Sequence, residues 1–334
     1  MCSFSHSFAR HLPEKIVTNN DLSKLMETSD EWIQKRTGIE ERRFVEAPTT
    51  TSDLATEAAK KSLQNFSGEI DAIIAATLSP DYDFPGIGVL VQNKLQLNTI
   101  PAFDIRNQCS GFLYGLELAD SLITSGKYNN ILLIGAEVHS TGLDLTTRGR
   151  DIAVLFGDGA GSCIVGNKES IPTDTVSFEF IDSELHSDGA HAKTLWCEHV
   201  GSAHFPKRVT KELVEEARVF PQMEGRVVFE HAVKRMIEVS TNILKKNKVS
   251  PDQIKMLVPH QANLRINQMV AKHLGVSDEC VSSTIKNYGN TTAATIPIGL
   301  SHVVEETDFQ SGDFVLSCAF GSGFTWGACL LKAT

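Results

Sequence analysis

The sequence predicts an α/β fold with mostly parallel sheets, built as two similar halves. Three observations predict it. Apolar, strand-like runs alternate with amphipathic helical stretches, and the same order of elements returns in the second half. Two like segments, Phe156-Gly157-Asp158-Gly159-Ala160 and Phe320-Gly321-Ser322-Gly323-Phe324, each stand late in their half. At about 100 to 200 residues per domain, a chain of 334 residues makes about two domains.

In chain order, Thr28 and Glu31 stand in capping-box register and open a short helix that carries Trp32 and Arg36 and ends at Gly38. Ile70 to Leu78, Ile100 to Ile105 and Ile131 to Val138 read as buried strands. Between the last two, Gly111 to Ser125 has apolar residues at helical spacing (Phe112, Leu116, Ala119, Ile123) and stops at Gly126. Both glycine segments read as hairpins. The polar stretch around Asn167, Lys168, Glu169, Ser170 and Pro172 divides the chain into residues 1–170 and 171–334. The second half offers a strand from Lys255 to Pro259, a helix from Gln261 to Leu274, a strand from Val281 to Ile285 and a helical run after Asn290. Glu184 to Gln222 has weak periodicity and reads as a long excursion covering a site.

Composition narrows the function. With 41% apolar and 22% charged residues the chain is an ordinary globular one, which excludes disordered and fibrous classes. A net charge of -10 argues against gripping nucleic acid with the whole surface. No apolar run is long enough to enter a membrane, and the N-terminus has no signal-peptide core, so a cytoplasmic protein is expected. Seven scattered cysteines without a Cys-x-x-Cys pair indicate thiols rather than disulfides or a zinc ribbon. His186, His191, Cys197, His199 and His204 match no closed metal motif, and no metal is expected.

Chemistry concentrates at strand-to-helix junctions. Cys109, in Asn107-Gln108-Cys109-Ser110-Gly111, lies between a strand and the start of a helix, where the helix-end field and free N–H groups favour thiolate. His260 and Asn263 open the helix after Pro259, and Asn290 follows Gly289 at a third junction. Taken singly, His260 reads as a core histidine and Asn290 as a helix cap. In parallel sheets, however, all three junctions converge at the carboxyl ends of the strands.

The segments Gln108-Cys109-Ser110-Gly111-Phe112, His260-Gln261-Ala262-Asn263, Gly289-Asn290-Thr291 and Phe320-Gly321-Ser322-Gly323-Phe324-Thr325-Trp326-Gly327 resemble those of β-ketoacyl-acyl-carrier-protein synthase III, of the thiolase superfamily. The resemblance implies a thiolase-like, five-layered αβαβα fold with two pseudo-duplicated halves, usually homodimeric. It implies a catalytic Cys109-His260-Asn290 triad, with backbone N–H groups of Cys109 and Ser322 holding an oxyanion. The implied reaction is decarboxylative Claisen condensation of an acyl-CoA primer with a malonyl thioester, with coenzyme A thioesters as substrates and no cofactor.

Looser matches give Trp32, Arg36 and Arg150 to the coenzyme A nucleotide and Asn263 to pantetheine. The same matches imply that Phe320 is a further substrate contact, that Phe84 reaches the partner subunit's acyl pocket, and that Arg265, joined by Lys272, meets the acidic acyl carrier protein. Asn107-Gln108 is bulkier than usual before the nucleophile, Ser322 stands in place of a frequent glycine, and the excursion, with Trp196 and Phe205, is long. A specialised enzyme of another ketide pathway is therefore the first alternative. A Cys-His-Asn thioester hydrolase and a non-enzymatic acyl-binding scaffold are the others.

Overall fold

The structure, a computed structural model, describes residues 2–172, 175–198, 201–203 and 208–334. Nine strands form one hydrogen-bonded sheet: β1 (Phe4–His11), β2 (Ala72–Ala76), β3 (Ala102–Ile105), β4 (Asn130–Glu137), β5 (Gly159–Gly166), β6 (Ser177–Ser187), β7 (Ile254–Pro259), β8 (Phe314–Gly321) and β9 (Thr325–Ala333). Their spatial order is β7-β8-β9-β6-β1-β5-β4-β2-β3.

The order mirrors about its middle. Antiparallel pairing of β1 with β6 joins the halves. Outward from that seam each half runs antiparallel, antiparallel, parallel, through β5, β4 and β2 on one side and β9, β8 and β7 on the other. The sheet is thus mixed rather than mostly parallel, because the strands nearest the seam return against their neighbours.

Helices supply the other layers: α1 (Asp30–Thr37), α2 (Thr51–Leu63), α3 (Ile87–Lys94), α4 (Gly111–Thr124), α5 (Gly225–Asn247), α6 (Leu264–Leu274) and α7 (Thr295–Glu306). Helices α4 and α7 pack between the two halves of the sheet, α2 covers the outside of the first, and α5 with α6 covers the second. Strand residues alternate between cores as the two-residue period demands. Ile74 and Leu133 face the central helices, while Ile73, Ala75, Leu132 and Ile134 face α2. Strands buried on both faces read as continuous apolar runs.

Four local expectations change. The first cap is Ser29, whose side chain accepts from Trp32 N–H, one residue later than the Thr28 register. Strand β3 is an edge strand with Phe103 and Asp104 exposed, not a buried one. Val281 makes only an isolated parallel bridge to Leu257, and Ile285–Tyr288 is a helical turn. Phe320 to Phe324 forms the turn of the β8–β9 hairpin, but Phe156 to Ala160 does not form a hairpin. There, Phe156 bridges to Asn290 in the other half, and a side chain at Gly157 would lie 2.2 Å from Tyr288 O.

Candidate active site

Strand β3 delivers the chain to a 3-10 turn, Gln108–Ser110, that runs into α4 and carries Cys109. Gln108 sits at φ 46°, a left-handed conformation that costs a non-glycine residue about 1 kcal/mol or more. The end of β8 lies directly on this turn, since a Cβ at Gly321 would stand 2.9 Å from Cys109 N. The hydroxyls of Ser110 and Thr325 pair at 2.8 Å, and Thr325 Oγ1 also reaches the carbonyls of Asn107 (3.2 Å) and Ser322 (3.1 Å). The nucleophile turn and the hairpin turn of Ser322 are thereby one unit.

Cys109 is 6% exposed. Burial, helped by the Glu137 carboxylate, pushes its thiol well above the ordinary range, against the pull of its own backbone N–H. The expectation of a resting thiolate is therefore corrected. A helix end offers about 0.3–2 kcal/mol, whereas full desolvation shifts a pKa by up to ~3–5 units, at ~1.4 kcal/mol each.

Glu137 is fully buried at the end of β4 and accepts from Ser79 Oγ, Thr77 Oγ1, and the amides of Leu78, Ser79 and Ala293. Burial raises its pKa to about 7 despite these donors.

His260 follows β7 and continues the parallel ladder, its N–H donating to Cys318 O at 2.8 Å. Nδ1 lies 2.7 Å from Thr295 Oγ1, and the buried Nε2 has no hydrogen-bond partner among the described residues. Burial lowers its pKa to about 3, so the ring is neutral at pH 7. Asn290 is pinned across the halves, its N–H donating to Leu155 O (2.8 Å) and its carbonyl accepting from Gly157 N–H (3.1 Å). Its Oδ1 accepts from Thr292 N–H at 2.8 Å, which leaves the NH2 end for the cavity.

Cys109, His260 and Asn290 line a single cavity of about 690 Å³, together with Trp32, Arg36, Asn263 and Phe320. Asn263 caps α6, its Oδ1 accepting from Arg265 N–H, and its Nδ2 donates to Arg36 O at 2.8 Å. Leu195, Phe220 and Gln222 of the long excursion form another part of the wall.

Four expected residues stand outside the lining. Arg150 has its guanidinium 5.4 Å from the Trp32 ring centroid, while Arg36 stands over the same ring at 4.2 Å. Arg265 is exposed and lies 5.7 Å from the Phe229 ring on the cavity wall. Phe84 is 80% exposed and is not among the residues that line this cavity. Ser322 contributes through its turn, its hydroxyl bonded to Leu195 O.

Sequence reasoning missed Arg148, which lines the cavity and is held by the largely buried Asp144 at 2.7 Å. It also missed Glu137, His139, Thr292 and Thr295, several of whose partners lie dozens of positions away or in the other half: Glu137 meets Thr77 and Ser79, Thr295 meets His260, and His139 meets Thr292. Among the described residues no cluster of three or more His, Cys, Asp or Glu side chains is placed to hold a metal. His199, His204 and Phe205 lie outside the described residues. Among the described residues no helix is long and apolar enough to cross a membrane.

Residues 103–189 match the family described as 3-oxoacyl-[acyl-carrier-protein] synthase III, and residues 244–333 match its C-terminal part. The β-ketoacyl-[acyl-carrier-protein] synthase III of Caldanaerobacter subterraneus subsp. tengcongensis is 41% identical over 325 residues, 96% of this chain and 95% of that one. The solved 3-oxoacyl-[acyl-carrier-protein] synthase III of Aquifex aeolicus superposes with a TM-score of 0.87 at 39% identity, over 99% of both chains. The priming β-ketosynthase of the R1128 polyketide pathway reaches 0.86 at 26% identity, over 98% of this chain and 96% of that one. The fold is therefore the five-layered thiolase type used by thioester-condensing enzymes. Within that class, the chain belongs to the β-ketoacyl-[acyl-carrier-protein] synthase III family.

Proposed function

We propose that this chain catalyses decarboxylative Claisen condensation of an acyl thioester primer with a malonyl-type thioester, in fatty-acid initiation or a related ketide pathway. The observation that carries the reading is the meeting of Cys109, His260 and Asn290 on one cavity whose wall also holds Trp32 and Arg36.

In the first half-reaction Cys109 Sγ attacks the primer carbonyl, the bond from that carbon to the first carrier's sulfur breaks, and the thiol proton leaves with the released carrier. In the second, the malonyl-type thioester loses carbon dioxide, and the electron pair left behind forms an enolate whose oxygen accepts from His260 and Asn290. The carbanion attacks acyl-Cys109, and the tetrahedral oxyanion rests on the N–H groups of Cys109 and Ser322. Collapse expels the Cys109 thiolate, which takes up one proton. Decarboxylation generates the carbanion, so no strong base is needed.

The binding roles follow the same reading. Trp32, Arg36 and Arg150 present an aromatic face and guanidinium planes for a nucleotide, and Asn263 a polar contact for pantetheine. Exposed Arg265 and Lys272 suit an acidic carrier protein. A homodimer is part of the proposal. Strand β3 ends the sheet with an open edge, and Tyr82, Phe84, Val89 and Phe103 are exposed, an arrangement that a second copy would cover. The division into residues 1–170, with the thiol, and 171–334, with His260 and Asn290, is supported by the mirrored strand order. A cytoplasmic location accords with these substrates.

Mass spectrometry after incubation with an acyl-CoA panel, with and without malonyl carrier, tests the reading. A Cys109 adduct followed by a β-ketoacyl product is expected, and the adduct mass reports the primer class. Free acid alone would mean a hydrolase, and no adduct would mean a binding scaffold.

A further inference from the structure

We propose that His139 is a positioning residue for the decarboxylating half of the reaction, acting through Thr292 on the carboxamide of Asn290. The inference rests on the reading of Asn290 given above and names what holds that side chain in its working orientation.

His139 is buried two residues beyond β4. Its backbone N–H donates to Asp158 Oδ1 at 2.7 Å, its ring lies 4.6 Å from that of Phe156, and its Nε2 shares a hydrogen bond with Thr292 Oγ1. Phe156 is the residue bridged to Asn290. The histidine is thus part of the first half but touches both supports of an active-site group from the second.

Thr292 needs such support. It sits at φ 50°, where a β-branched residue is a true outlier, costing about 1–3 kcal/mol. Three contacts hold it there. Its N–H donates to Asn290 Oδ1 (2.8 Å), its carbonyl accepts from Thr295 Oγ1 (2.8 Å), and its hydroxyl pairs with His139. The next amide, Ala293 N–H, points at Glu137 Oε1 (3.4 Å), a second and weaker tie to the end of β4.

The orientation matters chemically. A terminal carboxamide turns about a broad, two-fold torsion, so an Asn290 freed from Thr292 presents its oxygen as readily as its NH2 group. An NH2 group stabilises the enolate oxygen, and a carbonyl oxygen opposes it. Holding Thr292 in its left-handed conformation keeps Oδ1 occupied and NH2 toward the cavity. Acylation of Cys109 does not use this group.

The test separates the half-reactions. Acyl-Cys109 formation from acetyl-CoA is followed by mass, and carbon dioxide release from malonyl-CoA by label, in the full-length protein. His139→Leu should lower carbon dioxide release at least ~10-fold while acyl-Cys109 formation changes less than ~2-fold, and His139→Gln, which keeps a polar atom near Nε2, should recover most of it. Thr292→Val should repeat the split and Thr292→Ser should not, which keeps the test open if the leucine variant does not fold. Equal losses in both half-reactions, or unchanged carbon dioxide release in His139→Leu and Thr292→Val, would overturn the proposal alone. Absence of carbon dioxide release from the unmodified protein with both malonyl-CoA and malonyl carrier protein would instead overturn the functional reading beneath it.

Discussion

His260 Nδ1 lies 2.7 Å from Thr295 Oγ1, and the same hydroxyl lies 2.8 Å from Thr292 O. A carbonyl only accepts, so the single hydroxyl proton is committed to Thr292. Nδ1 then carries the ring proton and Nε2 faces the cavity as a lone pair. To donate to a thioester oxygen, the ring needs its other tautomer, reached when the Thr295 hydroxyl turns its proton toward Nδ1.

Thr295→Val removes that rotor and leaves Nδ1 buried without a partner, at a cost of about 1–3 kcal/mol. Malonyl decarboxylation should fall by roughly 10- to 100-fold, with Thr295→Ser close to unmodified protein. Nitrogen chemical shifts of the imidazole should report an Nδ1–H tautomer in the free protein. An Nε2–H tautomer there would defeat the argument.

Burial and Glu137 both hold Cys109 as a thiol. Alkylation of Cys109 by iodoacetamide should be slow at pH 7 and climb past the ordinary thiol range near pH ~8.5. Glu137→Gln removes the neighbouring negative charge, so its profile should move to lower pH, with faster labelling at pH 7, as read by peptide mass mapping. An unmoved profile would show that the two groups are not coupled.

Stability should fall on acidification. Burial lowers His6 to about 4 and His139 and His260 to about 3, from an ordinary 6.5, so below pH 6.5 the unfolded chain binds more protons than the folded one. Glu137 acts in the opposite sense. Raised from 4.5 to about 7, it binds its proton more tightly when folded, and its contribution is lost as pH rises through that window. Three histidines outweigh one acid, and the unfolding free energy measured by urea titration should be lower at pH 5 than at pH 7 by a difference on the order of a few kcal/mol, with the urea midpoint lower as well. His139→Leu should flatten that slope.

Gly321→Ala would set a methyl group 2.9 Å from Cys109 N and 3.1 Å from its Cβ, where the neighbour is backbone and cannot swing aside. The variant should acylate Cys109 at least ~10-fold more slowly, the scale of a near-attack geometry displaced by a fraction of an ångström. Gly142→Ala, with no atom within 4 Å of the added carbon, should acylate at the unmodified rate. Equal rates for both variants would remove the link between the β8 end and the nucleophile.

The sequence disclosed features whose physics is local. A thiol just before an amphipathic helix, a histidine after an apolar strand and an asparagine after glycine are visible because strand-to-helix junctions leave marks within a few residues. The apolar runs of β2, β4 and β7 were legible for the same reason. Readings failed where a distant partner decided the conformation. Phe156 to Ala160 looks like Phe320 to Phe324, yet Phe156 bridges to Asn290 while the later segment closes a hairpin. Val281 to Ile285 has strand composition but receives one bridge, because β7 ends the hydrogen-bonded sheet on that side.

By itself, then, the order of residues determined which chemical groups this protein has and the half in which each resides. Only the assembled halves decided their state. Burial and Glu137 keep the Cys109 sulfur protonated, Thr295 selects the His260 tautomer, and Thr292 turns the Asn290 carboxamide. Desolvation and hydrogen bonding act through space, between residues more than a hundred positions apart in the case of His139 and Thr292, and no local pattern in the chain encodes such distances.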